Sequence, residues 1–498
     1  MSCIDSAYFE FHSTGNTILD VVGPDEQFGI LRLKTGSVKI TSQPTFLLFS
    51  IDNTGSMNER TDGFDSKMDV VKQSFKSIIQ YLSGLDAPVY ISVHTFNEKI
   101  DVIVDNVCIT KENVNELINR ISAIRADDNT DIELALNNAQ SVVQRYKEEN
   151  PGHKIAHIFM TDGHATKGSQ NKELLSKLVE DADCGSVFIG FGNDHNVSLL
   201  KKLSENKRSF YQYIRDFEST ASVYGELLHP YLYPCIENFT ILVENGQIYD
   251  WTKNEWLNRF DEDILIGQTE KFYHIKKSKN TQIAVDVYGM DMTICSTEKS
   301  HIEQMIELPH LLSGETGDII ETDLTPYIFR QKTLELLYRV SQNDYLTSEE
   351  RKLLRSEIND VYVKIRDYMA VNGKSDDGFL RQLCDDLCIS HMSLKMVNGH
   401  MLTLSRFTTQ GRQQTNISTP RRQDISGFNC PPAPRARRLI RRNTGLMDTQ
   451  EDFDLPTLVL PEPVNEIESY ELSQNTTSCY ASPTVLDTMS QIQTPQIN

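Results

Sequence analysis

Between residues 45 and about 229, short apolar runs alternate with longer amphipathic ones, and few folds accept that alternation. TFLLFSI (45–51), APVYISVHTF (87–96), KIAHIFMTDG (154–163) and GSVFIGFG (185–192) are strand-length, apolar and rich in β-branched or aromatic residues. Between them lie helix-length segments. In SKMDVVKQSFKSIIQYL (66–82), Met68, Val71, Phe75, Ile78, Ile79 and Leu82 recur at helical spacing. IELALNNAQSVVQRY (132–146) and NKELLSKLVED (171–181) have the same character. Strands that are apolar throughout need cover on both faces, and alternating helices supply it. The expected fold is α/β, a doubly wound, mostly parallel sheet over residues 44–230.

The pattern changes on either side. Residues 1–43 contain a strand candidate, FGILRLKTGSVKI, that divides into two about Thr35-Gly36. NFTILVENGQIYDW carries Asn245-Gly246, a pair suited to the two positive-φ positions of a type I′ hairpin. Further strand-like runs, EKFYHIKK and TQIAVDVYGMDMTIC, extend to about residue 297. The strands of 1–43 and of a β-rich region at 231–310 are expected to meet in one β-sandwich into which the α/β domain is inserted. Residues 320–407 read as a helical hairpin, with a capping box at Thr347 and Glu350, followed by a short β-hairpin within SLKMVNGHMLTLSRF. From 408 to 498 the composition is that of a disordered tail.

With 498 residues and a hydrophobic fraction of 39%, the chain has material for more than one core. Its net charge of −21 argues against a surface that coats nucleic acid throughout. Nine scattered cysteines do not make a disulfide framework. The start, MSCIDSAYFEFHST, lacks the charge and apolar pattern of a secretory signal, and no apolar run reaches membrane-spanning length. These features point to a soluble, cytoplasmic setting.

In a doubly wound sheet, ligands bind at the carboxyl ends of the strands. Two of the expected strands end there in aspartate, at Asp52 and Asp162. Asp52, Thr54 and Ser56 alternate along a glycine-containing loop, and Thr130 stands before a helix. Two carboxylates and three hydroxyls form an all-oxygen set suited to Mg²⁺, Mn²⁺ or Ca²⁺ rather than zinc. Taken singly, each piece is ordinary: Asp52-Asn53-Thr54-Gly55 is a turn, Asp162-Gly163 another, and Thr130 a helix N-cap with Glu133 as its box partner. Their conjunction is what points to a cation. Asp127, Asp128 and Asp131 read as solvated loop charges, Cys384 and Cys388 as a core pair, and His153, His157 and His164 as incidental.

These residues resemble the metal-ion-dependent adhesion site of the von Willebrand factor A family. The family pattern is D-x-S-x-S, then a threonine, then the aspartate of a strand-end T-D-G, here Asp52, Thr54, Ser56, Thr130 and Asp162. Thr54 replaces the first serine and keeps its hydroxyl. The resemblance implies hydroxyls on the ion, aspartates acting partly through water, and an Asp or Glu of a partner completing the shell. It implies no catalytic residue. Intracellular proteins of this kind serve in assemblies, with AAA-type ATPases and ubiquitin-pathway components among the partners implied. The order of parts is also similar to A-domain proteins of large DNA viruses.

The competing reading is metal-assisted hydrolysis with Asp52 in the site, as in haloacid-dehalogenase-type phosphatases. Those place a second aspartate two residues on, where this chain has Thr54. Walker A, H-E-x-x-H and G-x-S-x-G motifs are absent. In the tail, Arg406 to Arg442 holds nine arginines against the single acid Asp424, while residues from 446 onward carry no Lys or Arg. The two blocks read as a disordered polyampholyte whose halves attract each other; the sharper alternative is a weak nucleic-acid or other anion contact through 406–442, masked by the acidic end.

Overall fold

Two strands, β1 (Ile4–His12) and β2 (Glu26–Thr35), precede β3 (Thr45–Asp52), whose eight residues are all buried. The computed structural model describes residues 4–13, 19–36, 44–60, 66–127, 129–192, 195–206, 208–214, 227–267, 269–291, 311–312, 320–342, 346–395 and 399–414, together with 467, 470, 472, 480 and 483–493. Around β3 a six-stranded sheet forms from β4 (Val89–Phe96), β5 (Ile100–Cys108), β6 (Lys154–Thr161), β7 (Gly185–Phe191) and β8 (Ser209–Ile214), in the order β5-β4-β3-β6-β7-β8. All neighbours are parallel except β5, which runs antiparallel to β4.

Helices cover both faces. On one, α1 (Lys67–Ser83) and α2 (Val114–Ser122) bury Val71, Phe75, Ile78 and Ile121 against Phe49, Ile51 and Ile91. The six apolar residues expected on the buried face of α1 are all buried. On the other face, α3 (Ile132–Glu149), α4 (Lys172–Ala182) and α5 (Val197–Ser204) pack against Phe96, Phe159 and Phe188, with Phe46 stacked on Tyr146 at 3.8 Å. This is the expected doubly wound α/β domain.

The flanking strands join across it in sequence. β9 (Pro234–Glu244), β10 (Gly246–Asp250), β11 (Glu255–Leu257), β12 (Arg259–Ile266), β13 (Glu270–Ser278), β14 (Ala284–Asp291), β15 (Leu311–Leu312) and β16 (Ile320–Thr322) make two sheets, ordered β11-β10-β13-β2-β1-β16 and β12-β9-β14-β15. β2 pairs with β1 on one side and β13 on the other. Phe11, Leu31 and Leu33 of the early strands share a core with Phe239, Ile241, Val285 and Val287 of the late ones. The α/β domain is therefore flanked by a β-sandwich built from both sides of it.

Several local expectations are corrected. Asn245 does take a positive φ of 58°, but Gly246 does not, and β9 and β10 do not pair. The turn carries the chain from one sheet to the other, because β9 finds its partners in β12 and β14 and β10 in β11 and β13. Residues 325–412 form four helices, α6 (Thr325–Ser341), α7 (Ser348–Val371), α8 (Gly378–Ser393) and α9 (His400–Arg412), in place of a helical hairpin and a β-hairpin. α7 carries the expected capping box. α9 replaces the strand pair because Met401, Leu404 and Phe407, three apart, bury one helical face against α6 and α8.

The tail is likewise shorter than expected. α9 runs to Arg412, and Arg406 is buried beside Asp386 at 3.3 Å, which removes it from any anion-binding block. Ile467 lies in the helical core, the Tyr470 hydroxyl donates to Asp385, and α10 (Pro483–Gln493) packs on α1. The remainder of the 408–498 tail, the rest of the arginine block and the second strand expected after Gly36 lie outside the described residues.

β2 is an internal strand of its sheet. Residues 231–322 without 1–36 are therefore expected to bind a hydrophobic dye and lose near-ultraviolet dichroism, both restored when a fragment holding β1 and β2 is added. A rigid, dye-negative 231–322 fragment contradicts the pairing.

Candidate metal centre

The order of strands reverses at β3: the chain moves outward to β4 and β5, returns, and continues as β6, β7 and β8. A crevice opens at such a reversal, beyond the carboxyl ends of the two central strands. β3 delivers Asp52 there, and β6 delivers Thr161 with Asp162 just after it. The sequence thus brings two carboxylates separated by more than a hundred residues to one place by strand pairing alone.

Asp52 is fully buried and both its oxygens are engaged. Oδ1 accepts from the Thr54 backbone N–H at 2.9 Å and Oδ2 from the Thr161 hydroxyl at 2.5 Å. The chain then turns through a short 3₁₀ segment, Gly55–Asn58, that sets Thr54 and Ser56 side by side. Their hydroxyl oxygens are 3.0 Å apart, and Ser56 Oγ donates to Asp162 Oδ1 at 2.6 Å. Thr130 completes the group. Its Oγ1 and that of Ser56 both lie under 4 Å from the point where a side chain on Gly163 would start, at 3.7 and 3.8 Å. All five residues named from the sequence therefore surround one crevice.

Thr130 is not the N-cap of α3. Asp131 is, accepting from Leu134 N at 2.9 Å, while Glu133 accepts from Ser169 N rather than closing a box. The Thr130 backbone is held by Thr166 on both sides, and its own hydroxyl has no protein partner among the described residues. Asp131 is thus a capping residue rather than a solvated charge. Asp128 lies outside the described residues. The histidines are occupied elsewhere: His157 bonds Ser50 in the core and burial pushes its pKa down to about 3, and His153 bonds the Tyr146 hydroxyl. Cys384 and Cys388 sit in the helical core as free thiols.

Three residues of the centre were not read from the sequence. Thr161 holds Asp52. Lys67, the first residue of α1, reaches Asp162 Oδ2 at 2.8 Å and Glu59 at 2.6 Å. The two aspartates thus do not simply repel across an empty crevice, since an ammonium already sits on one of them. A lysine at a helix start runs against the helix dipole, which is the signal that local reading had available.

The donor set fits a hard divalent cation. It is all oxygen, it has only two carboxylates, and the Thr130 hydroxyl is uncommitted. Thr54, Ser56 and Thr130 bring their hydroxyls to the crevice that Asp52 and Asp162 border. A cavity of about 390 Å³ elsewhere, lined by Lys154, Gly185, Tyr231, Glu237 and Arg412, lies toward the opposite ends of the strands.

Burial first, and then the charge of Asp162, push the Asp52 pKa up to about 6, against which its hydrogen bonds act. A carboxyl raised in the fold destabilises where it is ionised. Above pH 6 the full cost applies, and it is relieved as pH falls from about 6 toward 4, a difference of roughly 2–3 kcal/mol. In chelator, the wild-type melting temperature relative to Asp52→Asn is expected to rise between pH 7 and pH 5. Parallel pH profiles for the two proteins, measured by calorimetry, contradict the assignment.

Comparison with known proteins agrees with the fold of this domain. The family model for the von Willebrand factor type A domain matches residues 47–226. The chain is 27% identical over 305 residues to inter-alpha-trypsin inhibitor heavy chain H2 of Mus musculus, covering 59% of this chain and 30% of that protein. It is 23% identical over 233 residues to inter alpha-trypsin inhibitor, heavy chain 4, of the same species, covering 45% and 24%. The chain thus spans less than a third of the length of these relatives. Among solved structures, the von Willebrand factor type A protein from Catenulispora acidiphila superposes with a TM-score of 0.53 at 12% identity, over 82% of this chain and 97% of that one. That likeness is one of fold.

Proposed function

We propose that this chain, whose residues 47–226 form a von Willebrand factor type A domain, is a metal-dependent protein-binding module. Mg²⁺, or Mn²⁺ or Ca²⁺ in its place, is held by the hydroxyls of Thr54, Ser56 and Thr130, with Asp52 and Asp162 as its charged support. The observation that carries this is the gathering of those three hydroxyls beside Asp162 at the sheet's reversal point, with one of them uncommitted. The ion supplies an electrophilic position for the Asp or Glu of a partner, because the site brings few negative charges of its own. Among the described residues, Cys108, Cys184, Cys235, Cys384 and Cys388 are free thiols, which accords with a reducing, intracellular setting. No helix among the described residues is long and apolar enough to cross a membrane.

The hydrolase alternative is disfavoured by Asp52 itself. Its carboxylate is buried and both oxygens accept hydrogen bonds, which suits a support for an ion and not a nucleophile. Turnover of a generic phosphate ester with Mg²⁺ that Asp52→Asn abolishes favours the alternative.

An ion that binds only the folded state stabilises by about 2.7 kcal/mol at a hundredfold excess over Kd, or about 5–10 °C for a domain of this size. Mg²⁺ or Mn²⁺ is expected to raise the melting temperature by that order, and EDTA to reverse it. Thr130→Val, which removes a hydroxyl and keeps the shape, is expected to abolish most of the increment while leaving the metal-free protein as stable as wild type. Capture of an acidic partner is expected to fail in EDTA. A melting curve unmoved by millimolar Mg²⁺ and Mn²⁺, with no heat of binding, refutes the reading.

A further inference from the structure

Lys67 is an unusual residue for its place. It is 7% exposed, and it opens a helix where positive charge is disfavoured. What it contacts are two carboxylates: Nζ lies 2.8 Å from Asp162 Oδ2 and 2.6 Å from Glu59 Oε2. The backbone fixes it further, since Lys67 N donates to the Glu59 carbonyl at 2.9 Å. Gly192, at φ 73°, lies beside its stem, where a Cβ would make ordinary van der Waals contact with Lys67 Cε at 3.5 Å. Burial works against the ammonium, but its hydrogen bonds to Asp162 and Glu59 outweigh that and hold its pKa above the usual lysine value, so it is charged at neutral pH.

Asp162 therefore has both oxygens committed without any ion, one to Ser56 and one to Lys67. The first of these partners belongs to the oxygen set of the metal centre. The second is a competing cation. We infer that Lys67 is a resident counter-cation of the metal centre: it neutralises Asp162 in the metal-free protein, and its charge sets how weakly a divalent ion binds. This rests on the metal-binding reading above and adds to it the residue that tunes affinity. When an ion does bind, the ammonium brings the group of Asp52, Asp162, Glu59 and the divalent ion to neutrality, where without it the group would stay negative, and so lowers the repulsion that an anionic partner side chain would meet.

A unit charge one carboxylate away from a divalent ion opposes its binding by about tenfold or more, even at the dielectric of water. The test is Mn²⁺ and Mg²⁺ titration calorimetry on the full chain, with wild type, Lys67→Met, Lys67→Gln and Lys67→Arg. Lys67→Met is expected to bind Mn²⁺ at least about tenfold more tightly than wild type, and to gain more in melting temperature on adding the ion. Lys67→Gln follows in the same direction, keeping a neutral donor, and Lys67→Arg stays close to wild type. A Lys67→Met protein that folds only when Mn²⁺ is present also supports the inference, because the ion then replaces the lost charge. Unchanged or weaker binding in both neutral variants overturns it. So does failure of both to fold even in millimolar Mn²⁺, which makes the ammonium a strut that no ion replaces. The two readings fail differently. If wild type and Lys67→Met bind equally, only the role of Lys67 falls; if no protein in the series binds, the metal centre falls with it.

Discussion

The pairing of β3 with β6 is the contact on which the rest depends. These strands are parallel and central, in register from Thr45 opposite Lys154 to Ile51 opposite Met160. That register brings Asp52 level with Thr161, whose hydroxyl it accepts from, and sets Asp162 one residue beyond. A slip of one residue turns every side chain of β3 to the opposite face. The slip is prevented by cores on both faces, Phe46 and Leu48 toward α3 and Leu47, Phe49 and Ile51 toward α1. Specificity in the site is thus inherited from packing several residues away.

Within the crevice, charge is arranged with little excess. Asp52 is isolated from water and restrained by Thr54 and Thr161. Asp162 is balanced by Lys67. The polarity of the centre therefore comes from a few groups with opposed tendencies, and the uncommitted Thr130 hydroxyl is placed at the point where they meet.

How much of this was legible depends on whether the governing contact is local. The strands of the α/β domain were legible because an eight-residue apolar run between amphipathic segments has few other fates. Asp52, Thr54, Ser56, Thr130 and Asp162 were legible for the same reason, since each follows from a strand end or a helix start. Asn245 was half legible: the positive φ is a property of the residue, but which strands pair is decided by partners such as β13 and β14. In SLKMVNGHMLTLSRF the apolar residues fit a two-residue and a three-residue period at once, and the surrounding helices chose. Lys67 carried a local mark, a cation at a helix start, but the reason for it was out of reach, because its counterpart Asp162 lies 95 residues away.

The insertion of the α/β domain in the β-sandwich has a mechanical consequence. The chain enters at Pro44, whose carbonyl accepts from Lys154 N, and leaves near Tyr231, which packs against Gly185. Both points lie at the amino ends of the parallel strands, and Lys154 also lies 3.7 Å from Glu237 of the first strand after the exit. The crevice opens at the other end. Tension applied by anything gripped there runs down the strand axes into two covalent tethers side by side. The sheet is then loaded in shear, with its hydrogen bonds across the pull and sharing it, and not in the unzipping geometry that breaks them one at a time.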